Sequence, residues 1–433
     1  MDGYCKNCGA QLYAGATSCH RCGVPAAVAY AQQGPVKKKL PIWLPIVIIT
    51  VALITAIIIV VFTRGNSTHT IIDDPFLDDG PIVINVPGTE EDPVTEEEPD
   101  DEDSDDNAPD DEEPWIIERG TFTDYPVIIG EGTEFPLNAM ISIPDNTTGK
   151  VPAVVLVHGD GIFDMDEEVF GNKPFRDIAE YLASYGIAVI RYDKRNFNYY
   201  HKIRSVYGGA FTARETVIDD FLLALEIIKA DPHVDEDKVF LLGHSFGGFI
   251  APRVHIEDGG FAGIISYAGT PLGYIDRALY IMIDDAEKRY DGERKDYEIE
   301  KAEKWAEDFR NRLFTAPDEE LQNETWGEYP LYFYKDLESH PIPDYAIQST
   351  IPYIILQGTD DFAVDVVHDY AAWLEIFEGR DNVTFKLYEG LNHFFFPSQG
   401  YEHKDWEKEY SAPGHTDEQV LADTVEWIYS ICR

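Results

Sequence analysis

Cysteine is scarce: the 433 residues hold five, and four of them lie before residue 23. Cys432 is then the only thiol in the rest of the chain, which excludes an internal disulfide framework there. A core of about 300 residues needs none. Basic residues are also few, 34 Lys and Arg against 80 Asp and Glu, for a formal net charge of −46. From Gly65 to Pro114 there is no Lys or Arg at all. The one basic cluster is Lys37-Lys38-Lys39. That distribution argues against a nucleic-acid-binding protein, which needs a basic face to neutralise phosphates. Long apolar runs are missing too, with one exception, Leu40 to Phe62.

What is present falls into segments. Cys5-Lys6-Asn7-Cys8 and Cys19-His20-Arg21-Cys22 are two Cys-x-x-Cys knuckles ten residues apart. Each turns two thiolates toward one tetrahedral metal, so residues 1–26 read as a zinc ribbon with Cys5, Cys8, Cys19 and Cys22 as ligands of a structural Zn. So short a segment has no core of its own, and the metal would supply its folding energy. Residues 27–39 form a basic juxtamembrane linker. The apolar run 40–62 is 23 residues long, enough to cross a bilayer as a tilted helix, with Trp43 at an interface. Three lysines precede it and Arg64 alone follows it closely, which places the N-terminus in the cytosol and the rest of the chain outside the cell membrane. In residues 63–114, acids crowd Glu90–Asp92, Glu96–Glu98, Asp100–Asp106 and Asp110–Glu113 among recurring prolines. Such a segment buries too little apolar surface to fold and repels itself into extended forms, so it reads as a disordered tether. Much of the chain's negative charge belongs to this tether.

The remaining segment, 115–433, carries the chemistry. Gly243-His244-Ser245-Phe246-Gly247 directly follows the apolar run Val239-Phe240-Leu241-Leu242. A serine in Gly-x-Ser-x-Gly between a buried strand and a helix sits on a sharp turn that exposes its hydroxyl, and its partners follow in the order acid, then histidine. Downstream, Ile351 to Gln357 reads as a buried strand and Gly358-Thr359-Asp360-Asp361 as the turn after it. Val383 to Tyr388 alternates as a strand, and Glu389 to His393 is its loop. His393 is then the general base and Asp361 the acid that orients it, with Asp360 as the rival in the same turn. His340, His368, His403 and His415 have no preceding strand and read as surface or loop residues. His244 is expected to pack under the turn.

These motifs resemble those of bacterial secreted or membrane-tethered α/β-hydrolases of the esterase type, close to the prolyl-oligopeptidase-like and serine aminopeptidase-like hydrolases. Val154 to Gly161 is similar to the family's oxyanion loop. Asp164-Met165-Asp166-Glu167 and Asn172-Lys173-Pro174-Phe175 resemble two further segments of it. Gly358 to Val364 fits its acid motif, which selects Asp361, and Gly390 to Phe395 its histidine loop. Asp160, Ile162, Met165 and Asn196 depart from the family's usual residues. The resemblance implies two-step acyl transfer through Ser245 and His393, with backbone N–H groups of Phe246 and Asp160 as the oxyanion hole. That chemistry calls for no catalytic cofactor. The N-terminal segment is similar to the short zinc ribbons that open many bacterial membrane proteins.

The expected fold is therefore α/β, an α/β-hydrolase with a mostly parallel sheet and helices on both faces. Helices are expected over Phe175–Tyr185 and Thr216–Ala230, a strand over Gly263–Ala268, and a capping box at Thr416-Asp417-Glu418-Gln419 opening the last helix. About residues 274–349 form a helical lid insertion, whose aromatics Trp305, Phe309, Trp326, Tyr329, Tyr332, Phe333 and Tyr334 are expected to pack the lid or to shape the pocket. Phe394, Phe395 and Phe396 are further candidates for pocket walls. The expected function is a membrane-anchored, outward-facing serine hydrolase acting on small-molecule or carbohydrate-linked carboxylic esters. A serine peptidase and a non-catalytic surface binding protein are the alternatives.

Overall fold

Val154 and Leu156 belong to one apolar core, and Val155 and Val157 to the other, on the opposite face of a single sheet. This period-two alternation with both faces buried is what a central parallel strand requires. The computed structural model describes residues 118–433 except Glu402, together with the backbone of short strands at Gly3–Tyr4, Gln11–Leu12, Ile82–Ile84 and Trp115–Ile117.

Eight strands form the main sheet: β1 (Phe122–Ile129), β2 (Leu137–Pro144), β3 (Val151–Val157), β4 (Ala188–Tyr192), β5 (Val234–His244), β6 (Gly263–Tyr267), β7 (Tyr353–Gly358) and β8 (Val383–Tyr388). Their spatial order is β1-β2-β4-β3-β5-β6-β7-β8. The β1–β2 and β2–β4 pairs are antiparallel, and every pair from β4 through β8 is parallel. Between them run α1 (Pro174–Ser184), α2 (Arg195–Tyr207), α3 (Asp219–Ala230) and α4 (Phe246–Glu257). Phe175, Ile178 and Leu182 of α1 pack on the face formed by Val154, Leu156 and Leu242, whereas Phe221 and Leu225 of α3 and Phe249 of α4 pack on the other.

The insertion between β6 and β7 is helical, as expected: α5 (Tyr274–Arg289), α6 (Gly292–Thr315), α7 (Asp318–Asn323), α8 (Leu331–Ser339) and α9 (Ile342–Gln348). A two-residue hairpin, Thr325–Trp326 with Tyr329–Pro330, joins α7 to α8. The chain ends through α10 (Ala371–Ile376), α11 (Trp406–Ser411) and α12 (Glu418–Cys432). Val420, Trp427 and Ile428 of α12 are buried against the sheet, as the sequence pattern requires.

Three local expectations change. The residue that caps α12 is Asp417, whose carboxylate accepts from Gln419 N–H at 2.9 Å; Thr416 lies one residue outside the helix. The helix expected from Thr216 opens as a π-turn over Arg214–Ile218 before α3 begins. Phe395 packs on Tyr267 and Tyr388 in the core, and Phe396 on Phe394 beside Tyr410, so neither has the exposure of a pocket wall.

The chain divides into two units, Met1–Ile59 and Val60–Arg433. In the first, Gly3–Tyr4 pairs antiparallel with Gln11–Leu12. In the second, Ile82–Ile84, a β-branched run inside the expected tether, pairs antiparallel with Trp115–Ile117. The ligand positions Cys5, Cys8, Cys19 and Cys22, the linker 27–39, the span 40–62 and the rest of the tether lie outside the described residues. Among the described residues no helix is long and apolar enough to cross a membrane.

Candidate active site

The parallel strands β3, β5, β7 and β8 deliver four loops to one edge of the sheet. Ser245 stands between β5 and α4 with φ 51° and ψ −110°, a strained conformation for a residue with a Cβ. Its N–H donates to the carbonyl of Tyr267 at 2.8 Å, which fixes the turn to β6. The flanking glycines are sterically required. A Cβ on Gly243 would come within 2.2 Å of the Gly247 carbonyl carbon, and one on Gly247 within 2.2 Å of the Val157 carbonyl oxygen.

The turn after β7 presents Asp361, and the loop after β8 presents His393. His393 Nδ1 lies 2.7 Å from Asp361 Oδ2, with both residues buried. Asp360 is exposed and makes no such contact, so the structure brings Asp361, and not its neighbour, to the histidine. The other Asp361 oxygen accepts from the N–H groups of Ala363 and Val364 at 2.8 and 2.9 Å, and Gln357 Nε2 donates to Oδ2 at 2.9 Å. Burial alone would push this carboxyl up, but the His393 ring and these donors outweigh it and hold it below the usual range. Among the described residues no hydrogen bond joins the Ser245 hydroxyl to His393; such bonds are often loose before substrate binds.

Phe246 N–H is the first donor of α4, where a helix supplies no acceptor of its own. Asp160 follows Gly159 in the loop after β3. Lys194 Nζ donates to the Gly159 carbonyl at 2.5 Å and Asn196 Nδ2 to the Gly161 carbonyl at 2.9 Å. Met165 N–H donates to Asp193 Oδ1 at 3.0 Å. Asn196, a departure from the family pattern, thus acts as a brace of this loop. His158 donates from Nε2 to the Asp164 carbonyl at 2.9 Å, and burial lowers its pKa to about 4, so it stays neutral.

The Asp160 side chain points to the insertion. Tyr274 Oη donates to its Oδ2 at 2.9 Å and Tyr329 Oη to its Oδ1 at 3.1 Å. The Tyr274 and Phe333 rings also pack 6.1 and 6.3 Å from the Phe246 ring beside the elbow. Trp305, Phe309 and Trp326 instead pack mainly on one another within the insertion. Nearby Glu328 is raised to about 7 by burial and by the charge of Asp160. The sequence reading missed Tyr274 and Glu328 as neighbours of the loop, because each lies more than a hundred residues from Asp160.

A model of the alpha/beta hydrolase family matches residues 154–402, more than half of the chain. The chain belongs to that family. It is 32% identical over 292 residues to the esterase EstD of Thermotoga maritima, over 67% of this chain and 65% of that protein. The chain therefore spans slightly less than two thirds of the curated relative it matches. Among solved structures it is similar to Est1E from Butyrivibrio proteoclasticus (15% identity, TM-score 0.42, 71% of this chain and 98% of that one). It is also similar to an acylaminoacyl peptidase of Pyrococcus horikoshii (13% identity, TM-score 0.41, 63% and 38%). Neither structural likeness bears on the chemistry of this hydrolase-family member.

Proposed function

We propose that the protein is a serine hydrolase cleaving carboxylic esters by acyl transfer. The observation that carries this is the buried Asp361–His393 pair at 2.7 Å, on the sheet edge where Ser245 is held in a strained elbow. Ser245 would attack the acyl carbon, and His393 would take its proton and return it to the departing alcohol. Water, activated by His393, would then release the acid. Phe246 and Asp160 would donate backbone N–H groups to the oxyanion. The likeness to an esterase supports ester over amide cleavage.

The test uses the full chain and its Ser245→Ala variant with p-nitrophenyl acetate, butyrate and octanoate and a proline-linked peptide amide. Serine-dependent ester turnover without amide cleavage is expected, and chain-length preference sizes the pocket. Amide cleavage would move the assignment to a peptidase. No turnover, with no labelling of Ser245 by a fluorophosphonate, would leave a binding protein as the better reading.

We read the N-terminal segment as a cytosolic zinc ribbon followed by one membrane span, with the hydrolase domain outside. Four thiolates in two knuckles form a donor set suited to tetrahedral zinc. One zinc per chain is expected by elemental analysis, lost in Cys5→Ser with ester turnover unchanged. External protease should reach the hydrolase domain in intact cells. Zinc-free wild-type protein, or a protected domain, would sink the respective reading.

A further inference from the structure

Glu167 is fully buried and belongs to no part of the triad. It is also one of six non-glycine residues with positive φ among the described residues, at 52°. Strain of that kind survives where the surroundings over-determine it, and it clusters at working sites. The strained backbone aims the carboxylate into the junction of three loops. Glu167 Oε1 accepts the Gly159 N–H at 2.7 Å. Its Oε2 lies 3.0 Å from His244 Nδ1. His244 Nε2 in turn lies 3.0 Å from the carbonyl oxygen of His393.

Proton placement follows from these contacts. A nitrogen facing a carbonyl oxygen must carry hydrogen, so His244 Nε2 is the donor. Nδ1 faces a carboxylate oxygen, and two lone pairs cannot meet at 3.0 Å in a dry site. One proton therefore stands between them, although the contact is not well aligned as a hydrogen bond. Burial opposes charge on both groups, yet their mutual attraction outweighs it, lowering the carboxyl pKa of Glu167 and raising that of the His244 ring.

Gly159 marks where the loops converge. A Cβ there would lie 3.1 Å from Ser245 Cβ, 3.2 Å from Glu167 Oε1 and 3.2 Å from His244 Nδ1. The residue next to Gly159 is Asp160, the second oxyanion donor in the proposed mechanism. We propose that Glu167 is a positioning residue: by the hydrogen bond it accepts from Gly159 N–H and its charged contact with His244 it ties the oxyanion loop, the nucleophile elbow and the catalytic-histidine loop together. This rests on the serine-hydrolase reading above. A loop displaced by an ångström costs the transition state far more than the ground state, so the effect falls on kcat rather than on KM.

Three variants of the full chain test it: Glu167→Gln, Glu167→Asp and Glu167→Ala. Glutamine keeps the reach, with its oxygen on Gly159 N–H and its amide on His244 Nδ1. Aspartate keeps the charge and loses the reach. The readouts are kcat and KM on p-nitrophenyl acetate and inhibition by a phenylboronic acid, a tetrahedral analogue. Glu167→Gln should stay within about tenfold of wild type in kcat. Glu167→Asp and Glu167→Ala should lose about 10²-fold in kcat, with KM changed less than about threefold and boronate inhibition weakened in parallel. Should Glu167→Ala fail to fold, the order of Gln above Asp decides alone. Asp equal to wild type, Gln as impaired as Asp, or losses in unfolding midpoint with kcat intact would overturn the bridge. Wild type that neither turns over ester nor labels at Ser245 would overturn both readings; an active, labelled wild type with unaffected variants would overturn the bridge alone.

Discussion

Replacing Asp361 by asparagine is expected to lower kcat by about 10⁴-fold with KM little changed. The reason lies in how the carboxylate is held. Its Oδ1 already accepts two backbone N–H groups, from Ala363 and Val364. An asparagine must therefore place its oxygen there and its NH₂ toward His393. That amide donates to Nδ1, which drives the ring proton to the nitrogen that has to accept from Ser245. The base is then in the wrong tautomer in an otherwise intact site. Steady-state kinetics with a matching unfolding midpoint would check this, and a variant within tenfold of wild type would contradict the assignment of the acid. The depressed pKa of Asp361 also fixes a sign. Its contribution to stability is present above the unfolded value of about 3.9 and is lost as pH falls through the lower folded value. A change in turnover around neutral pH therefore does not come from Asp361.

The second large effect concerns stability. Asp166 is expected to cost about 3–5 kcal/mol when replaced by alanine, because the change strands a buried cation. Arg191 Nε reaches Asp166 Oδ1 at 3.1 Å, and the two side chains are 4% and 5% exposed. Lys173 and Arg176 hold the other oxygen at 3.2 and 2.5 Å from more exposed positions. Without Asp166, Arg191 keeps Ser142 Oγ at 3.1 Å and a distant Asp124 at 3.8 Å. Burial pushes the Asp166 carboxyl up, but Arg191, Arg176 and Lys173 outweigh it and hold it low. With a depressed folded pKa, its stabilisation is complete above about pH 4 and fades as pH falls through the folded value. Denaturant midpoints at pH 7 and pH 3 should therefore show a large gap between wild type and Asp166→Ala at pH 7 that narrows at pH 3. Equal midpoints at pH 7 would show that the network carries no net stability.

The residues proposed for the chemistry were legible because motif and chain order are local properties. Ser245 announces itself by a strand and two glycines, and Asp361 and His393 by their place after strands. The bonds around them were not legible. Glu167 and His244 are 77 residues apart and meet only because β3 and β5 are neighbours in the sheet. In the sequence Glu167 is one acid among several in Asp164-Met165-Asp166-Glu167. Helix α12 was found by its apolar stripe, while its cap was misplaced by one residue because Thr416 and Asp417 can both cap. The insertion was recognisable as helical. That Tyr274 and Tyr329 converge on Asp160 depends on a fold of the insertion that no periodicity encodes.

That convergence has a consequence for how such a site opens. The two phenols grip the side chain of the residue whose backbone N–H would face the oxyanion. Any displacement of Tyr274 and Tyr329 away from Asp160 would therefore strip this loop of two of its anchors. In the proposed mechanism, a substrate bulky enough to hold the two tyrosines off Asp160 would reach the serine and still be turned over slowly.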